Sequence, residues 1–279
     1  RQAHSAQMLA FLLNTLAAKK EEAPPPSLAD VVKDTLVLKG EYGWLAFHVG
    51  LFLFCCAMAR SLITSQPKIR WLHGLMFLCL TSYGGSTLVP MMLGKPIAMF
   101  ANEALVLHMG LAWLLVKQLP PFLSVLKTGP GKALSSMGFE FIRCHVMILQ
   151  AGLAASTLGG GKMPGFSYPV AVVGPIVCGV LGACGGAFFP TDKGLAAVTG
   201  DLPWRVQSGI VGSIWLQLLL HDPNVKPLFA GTALADPDWV KIAAIAFFQL
   251  VPLLSSQGIF ELGANPLAPP PAKGKAKKA

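Results

Sequence analysis

The chain has 279 residues, 53% of them apolar and only 13% charged, where soluble domains carry roughly 25% charged residues. That deficit excludes an ordinary soluble domain and places the chain in lipid. The formal charge of +9 does not indicate nucleic acid, because the Lys and Arg residues lie between apolar segments and in the tail Lys273, Lys275, Lys277 and Lys278, as orientation signals do.

Residues 1-42 form an N-terminal extension with amphipathic or interfacial segments. An apolar piece from Met8 to Ala18 is too short to span, since a span needs about 20 residues, and reads either as an interfacial segment or as an ordinary surface helix. Lys19-Lys20-Glu21-Glu22, Pro24-Pro25-Pro26 and an amphipathic stretch over 28-39 follow. With Arg1 rather than Met in first place, either a removed targeting segment or the numbering of a mature form is expected. Seven apolar segments then predict spans at 43-64, 71-93, 97-118, 133-157, 167-189, 204-221 and 239-260. An odd count puts the termini on opposite sides. The loops after spans one, three and five carry Arg60, Lys68, Arg70, Lys117, Lys127, Lys132, Lys193 and Arg205, so the positive-inside tendency makes the C-terminus cytoplasmic and the N-terminus lumenal or external. The Pro- and Lys-rich tail, 261-279, is expected to be disordered by composition.

The spans fall into threes. Span two carries Tyr83-Gly84-Gly85-Ser86 with Pro90 beyond, and span five carries Cys184-Gly185-Gly186-Ala187 with Pro190 in nearly the same relation. Three-span units joined head to tail are inverted, and Gly/Pro-interrupted helices in matching positions of two halves point to a transport path. Equally, the glycines can be close-packing helix contacts and nothing more. The expected fold is therefore all-α and polytopic: a membrane domain over 43-260 with repeat one at 43-118, repeat two at 133-221 and a seventh helix at 239-260.

Ionisable residues inside spans are costly and so are candidates for function. Glu140 and Arg143 stand three apart on one face of span four, within reach of an ion pair; the alternative is a structural pair locking two helices. His145 lies on another face, and span three holds Glu103, near its end, and His108; both histidines read as satisfied core residues. The six cysteines (Cys55, Cys56, Cys79, Cys144, Cys178, Cys184) all sit in apolar stretches without CxxC spacing and read as packing residues, with no metal. Gly129-Pro130-Gly131-Lys132-Ala133 lacks the spacing and the Ser/Thr of a phosphate loop, and neither HExxH nor GxSxG occurs. A membrane enzyme is not the expectation.

Several segments, taken in order, resemble the trimeric intracellular cation (TRIC) channel family. Tyr83-Gly84-Gly85-Ser86 through Met91-Met92-Leu93-Gly94-Lys95-Pro96-Ile97 is similar to that family's second span and following turn. Gly179-Val180-Leu181-Gly182-Ala183-Cys184-Gly185-Gly186 is similar to its Gly-rich fifth span, and Glu140-Phe141-Ile142-Arg143 matches the Glu-x-x-Arg part of its Lys-Glu-Val-x-Arg signature in span four. The resemblance covers roughly residues 43-260. It implies a homotrimer in the lipid bilayer with a potassium-conducting pore in each protomer, no covalent cofactor, and a bound anionic, phosphoinositide-like phospholipid beside the signature helix. By that resemblance Gly84, Gly85, Ser86, Gly185 and Gly186 shape the pore at kinked helices, and Glu140 and Arg143 serve lipid binding or gating. The endoplasmic reticulum follows from the family; a mitochondrial or plastid membrane is the alternative if the N-terminus is processed. Phe139 stands where the signature has Lys, and a phenyl ring cannot replace an ammonium. The competing expectation is accordingly a non-conducting structural subunit that keeps the fold and is found with unlike subunits of an organellar membrane complex.

Overall fold

The computed structural model describes residues 27–159, 170–188 and 203–256. Every regular element among them is helical: α1 (Leu28–Leu36), α2 (Gly40–Ser65), α3 (Trp71–Met92), α4 (Ala98–Ala101), α5 (Glu103–Gln118), α6 (Pro120–Lys127), α7 (Gly129–Leu158), α8 (Val173–Cys184), α9 (Trp204–Leu216) and α10 (Pro237–Ser256), with short 3-10 and π turns between some of them.

Four of these helices, α2, α3, α7 and α10, are long and apolar enough to cross a membrane individually, and the bent pair α5 and α6 makes a fifth candidate. Against the seven expected spans, the described residues differ in helical continuity at three. The third, expected at 97-118, is broken at Asn102, which caps α5 by accepting a hydrogen bond from the Ala104 amide, so the continuous helix starts only at Glu103. Pro120 and Pro121 then turn the chain by 99° into α6. The fifth, expected at 167-189, is α-helical among its described residues over the 12 of α8 and tightens to a 3-10 turn at Gly185–Phe188, where two successive glycines weaken the α-helical preference; 167–169 and 189 lie outside the described residues. The sixth, expected at 204-221, passes from α9 into a π turn at Gln217–His221. The apolar piece over Met8 to Ala18, Pro190 and the 261-279 tail lie outside the described residues.

α7 is the organising element. It packs against both α2 and α8, and its buried residues run along its length from Ser135 to Ala154. On one side it closes a core built from α2, α3 and α5 around Leu51, Phe54, Met109 and Trp113; on the other it joins a core with α9 and α10 around Met147, Leu216, Val240 and Phe248. The fully buried Trp113 fits because Gly74 has no side chain to obstruct its ring, and its indole N–H donates to the Trp71 carbonyl at 2.9 Å. The lipid-facing surface is apolar, with Leu72, Leu107, Leu149 and Leu250 exposed, and Trp44, Trp71 and Trp239 stand exposed near helix starts, as aromatic residues do at membrane interfaces. The chain is a multi-pass membrane protein.

The amphipathic stretch expected over 28-39 forms α1. Ser27 and Asp30 make a reciprocal capping box. Lys33 pairs with Asp236 at 2.6 Å and Lys39 with Asp238 at 2.5 Å, while the Nε2 of His145 lies 2.9 Å from the carbonyl oxygen of Leu36, the last residue of α1. A helix C-terminus leaves carbonyls without partners and favours a donor or cation there. His145, whose Nδ1 also lies 2.9 Å from the Phe141 carbonyl, thus sits between a carbonyl of α7 and the end of α1 and links the two helices.

Candidate functional site

The two glycine pairs come together. α3 crosses α8 and its 3-10 extension so closely that a Cβ on Gly85 would collide with the Leu181 carbonyl, one on Gly185 with the backbone of Gly85, and one on Gly186 with the Thr81 carbonyl. Gly84, Gly85 and Gly185 are buried and Gly186 is half-buried. Ser86 is buried too, and its hydroxyl donates back to the Tyr83 carbonyl at 3.0 Å. Pro90, one turn on, has no N–H to give to the Ser86 carbonyl.

Glu140 and Arg143 form the ion pair that their spacing predicts, with side chains 10% and 3% exposed. Four of the five guanidinium N–H donors have partners. Nε donates to Glu140 Oε2 at 2.9 Å, Nη2 donates to the same oxygen and to Ser208 Oγ at 2.8 Å, and Nη1 donates to the Arg205 carbonyl at 2.9 Å. Its other face lies over the Phe248 ring at 4.5 Å. Ser208 passes the bond on by donating to the Trp204 carbonyl at 2.6 Å. Arg143 therefore ties α7 to the first turn of α9, with Glu140 neutralising its charge, as a buried cation requires.

Phe139 is half of a second cation site. Its ring stacks on Phe54 at 5.3 Å and 9°, and the Arg205 guanidinium lies 4.4 Å from its centroid. A positive charge thus stands beside the Glu140/Arg143 pair although residue 139 carries none. It arrives from α9, 66 positions along the chain, and Arg205 is exposed.

Sequence reasoning missed the residues that extend this site. Gln150 on α7 (2% exposed), Ser213 on α9 (0%) and Gln217 in the π turn (0%) are buried. The side-chain oxygens Gln150 Oε1, Ser213 Oγ and Gln217 Oε1 meet no hydrogen-bond partner among the described residues. They lie along α8: a Cβ on Gly179 would meet Ser213 Oγ at 2.5 Å, and one on Gly182 would meet Gln150 at 3.0 Å. With Glu140, Arg143 and Ser208 they make a polar stripe between α7 and α9 beside the glycine crossing. The signal was available, for Arg143 and Gln150 are seven apart and Ser213 and Gln217 four apart, spacings that keep residues on one helix face.

His108 and His48 stand elsewhere, between α5 and α2, 3.2 Å apart at their nearest nitrogens. Glu103 is the exposed first residue of α5.

No protein-family model and no curated protein matches the sequence. Among solved structures, a trimeric intracellular cation channel from C. elegans with bound Ca2+ aligns at a TM-score of 0.57 and 16% identity over 81% of this chain and 95% of that one. The C. elegans channel in the absence of Ca2+ aligns at 0.56 and 21% over the same shares. Another structure, from work on conductance through TRIC cation channels, aligns at 0.56 and 16% over 82% of this chain and 97% of its own. With nearly the whole of each neighbour covered, the chain has the fold of the trimeric intracellular cation channels.

Proposed function

We propose that this protein is a monovalent cation channel, conducting potassium, that works as a homotrimer in an organelle membrane with one path inside each protomer. The observation that carries this reading is the buried polar stripe of Gln150, Ser213 and Gln217, whose oxygens have no protein partner among the described residues. Buried polar atoms left without partners cost about 1–3 kcal/mol each, so such a stripe is retained where water or a hydrated ion satisfies it. The likeness of fold to TRIC channels supports the same conclusion. In this reading the two three-helix units are inverted repeats, α10 is the seventh span, and Gly84, Gly85, Gly185 and Gly186 set the separation of α3 and α8 beside the path. Ser86 contributes through the carbonyl that Pro90 cannot bond. Arg143, held by Glu140 and Ser208, forms with Glu140 the buried, neutralised pair that fixes α7 to α9 beside the path. Arg205, the exposed cation over Phe139, is the residue available to an anionic, phosphoinositide-like headgroup.

The test is single-channel recording of the purified protein in planar bilayers under a potassium gradient. Cation-selective steps are expected, with smaller conductance in Gln150→Leu and Ser213→Val. A silent protein would overturn the reading. A second reading rests on Phe139: with Phe54 on one face and Arg205 on the other, it replaces a charged residue by an aromatic stack, which suits a non-conducting subunit. Sizing the native oligomer separates the two, since a channel runs as a homotrimer and a subunit arrives with unlike partners.

A further inference from the structure

The His48 and His108 pair belongs neither to the polar stripe nor to the glycine crossing; its nitrogens stand at N–H···N hydrogen-bond distance, a separation that two ligands of one metal ion also adopt. His48 Nδ1 and His108 Nε2 are 3.2 Å apart, with ring centroids at 5.0 Å and planes inclined by 32°. Two imidazole nitrogens bound to one tetrahedral zinc, with Zn–N of about 2.0–2.1 Å, lie about 3.3–3.4 Å apart. The pair stands within a few tenths of an ångström of that separation.

The surroundings fix which nitrogens face each other. His108 Nδ1 lies 2.7 Å from the Ala104 carbonyl, and the proton this contact assigns to Nδ1 leaves the lone pair on Nε2, the atom aimed at His48. A ring N–H donated to a backbone carbonyl is the arrangement that orients metal-bound histidines. The His48 ring is held by Trp44 at 4.3 Å and Phe47 at 5.4 Å. Without metal, His48 Nδ1 donates its proton to His108; with metal, that proton moves to Nε2 and both facing nitrogens present lone pairs.

Access comes from the end of the bundle where α2 and α5 begin. Both histidines are half-buried, and the exposed carboxylates Glu41 and Glu103 occupy the first turns of the same two helices, about 7–11 Å along the axes from the imidazoles at 1.5 Å per residue. They draw cations toward the pair without joining it. Among the described residues no cluster of three His, Cys, Asp or Glu occurs, so the remaining coordination positions fall to water and the site is open and exchangeable. Imidazole donors select zinc, copper or nickel over calcium and magnesium, which prefer oxygen.

We propose that His48 and His108 bind one divalent transition-metal ion of the zinc class, bridging α2 to α5. The proposal stands apart from the channel reading, because its readout is the metal.

The test titrates ZnCl2 calorimetrically into the full chain, purified and freed of metal by chelator. One Zn2+ per chain is expected, with affinity falling at least about tenfold in His108→Gln and in the double variant His48→Ala/His108→Ala. Native elution volume and helical circular dichroism check that the variants fold. A second measurement needs no variant. Zn2+ should protect His48 and His108 of the wild-type chain from diethyl pyrocarbonate, read by peptide mass spectrometry, while leaving His73 modified as before. Unchanged zinc affinity in a folded double variant, or equal modification of His48 and His108 with and without Zn2+, overturns the proposal.

Discussion

Replacing Gly85 by Ala adds one methyl group, and the structure says where it goes. The new Cβ would run into the Leu181 carbonyl, and the next atoms it meets, the Cα and carbonyl oxygen of Gly182, are also backbone, each at 2.9 Å. Backbone cannot step aside as a side-chain tip does, so α3 and α8 must part. Overpacking of this kind costs about 1–3 kcal/mol, whereas the helix propensity of Ala over Gly returns about 0.5–1 kcal/mol. Gly110 and Gly152 are helical controls, with nothing within 4 Å of a built Cβ, and there only the propensity gain operates. Gly85→Ala should lower thermal stability, while Gly110→Ala and Gly152→Ala should leave it unchanged or raise it; the propensity gain is common to all three, so the separation is the overpacking cost of about 1–3 kcal/mol. Intrinsic-fluorescence melting of the three purified variants in one detergent measures it. Gly85→Ala melting at or above Gly110→Ala would refute the crossing as described.

Glu140→Ala leaves Arg143 buried without its counter-charge and should cost about 3–5 kcal/mol; Glu140→Leu/Arg143→Met should recover most of that in the same melting assay. The bond from Lys33 holds the Asp236 carboxyl below the usual carboxylate range and lifts the Lys33 ammonium above its own. A lowered carboxylate stabilises above its unfolded pKa and stops doing so as pH falls through the folded one; a raised ammonium stabilises until pH climbs past its folded value. Hydrogen-exchange protection of amides 28–36 should therefore hold across neutral pH and fall in acid, and protection that rises on acidification would contradict the Lys33–Asp236 tie. Phe139→Lys sets an ammonium against the Arg205 guanidinium and should destabilise, and exchanging the two as Phe139→Lys/Arg205→Phe should restore melting toward wild type. If the exchange is no better than the single change, the two residues do not interact.

Much of the fold was legible because it rests on periodicities that one segment reveals by itself. Long apolar runs marked α2, α3, α7 and α10 to within a few residues, and i,i+3 spacing predicted the Glu140–Arg143 pair. The glycine pairs were found as a repeated pattern, although only the structure shows that they touch. Legibility failed where a few backbone atoms decide. Asn102 capping α5, Pro120 and Pro121 turning the chain, and tandem glycines tightening the end of α8 all interrupt segments whose hydropathy runs on. It failed again for Gln150, Ser213 and Gln217, because an uncharged polar residue in an apolar span is cheap enough to be common. What distinguishes these three is a buried side-chain oxygen without a partner among the described residues, although Gln217 Nε2 donates to the Ala171 carbonyl at 3.0 Å, and burial is a property of the packed bundle.

Phe139 shows why a motif read along one helix can mislead about charge. In sequence, a phenyl ring at the signature lysine position removes a cation. In space, the face that Phe54 leaves open is covered by Arg205 from α9, and the carbonyl of that same residue accepts from Arg143. Arg205 thus places its side chain over Phe139 and its backbone on the neighbouring ion pair, so one residue of α9 meets two successive turns of α7. A guanidinium stacks flat on an aromatic face in a way an ammonium cannot, so the ring provides the seat and α9 the charge. Two cations, Arg143 and Arg205, thus stand beside Glu140 although only one of them lies on its helix, which is why charge at this site has to be counted across helices.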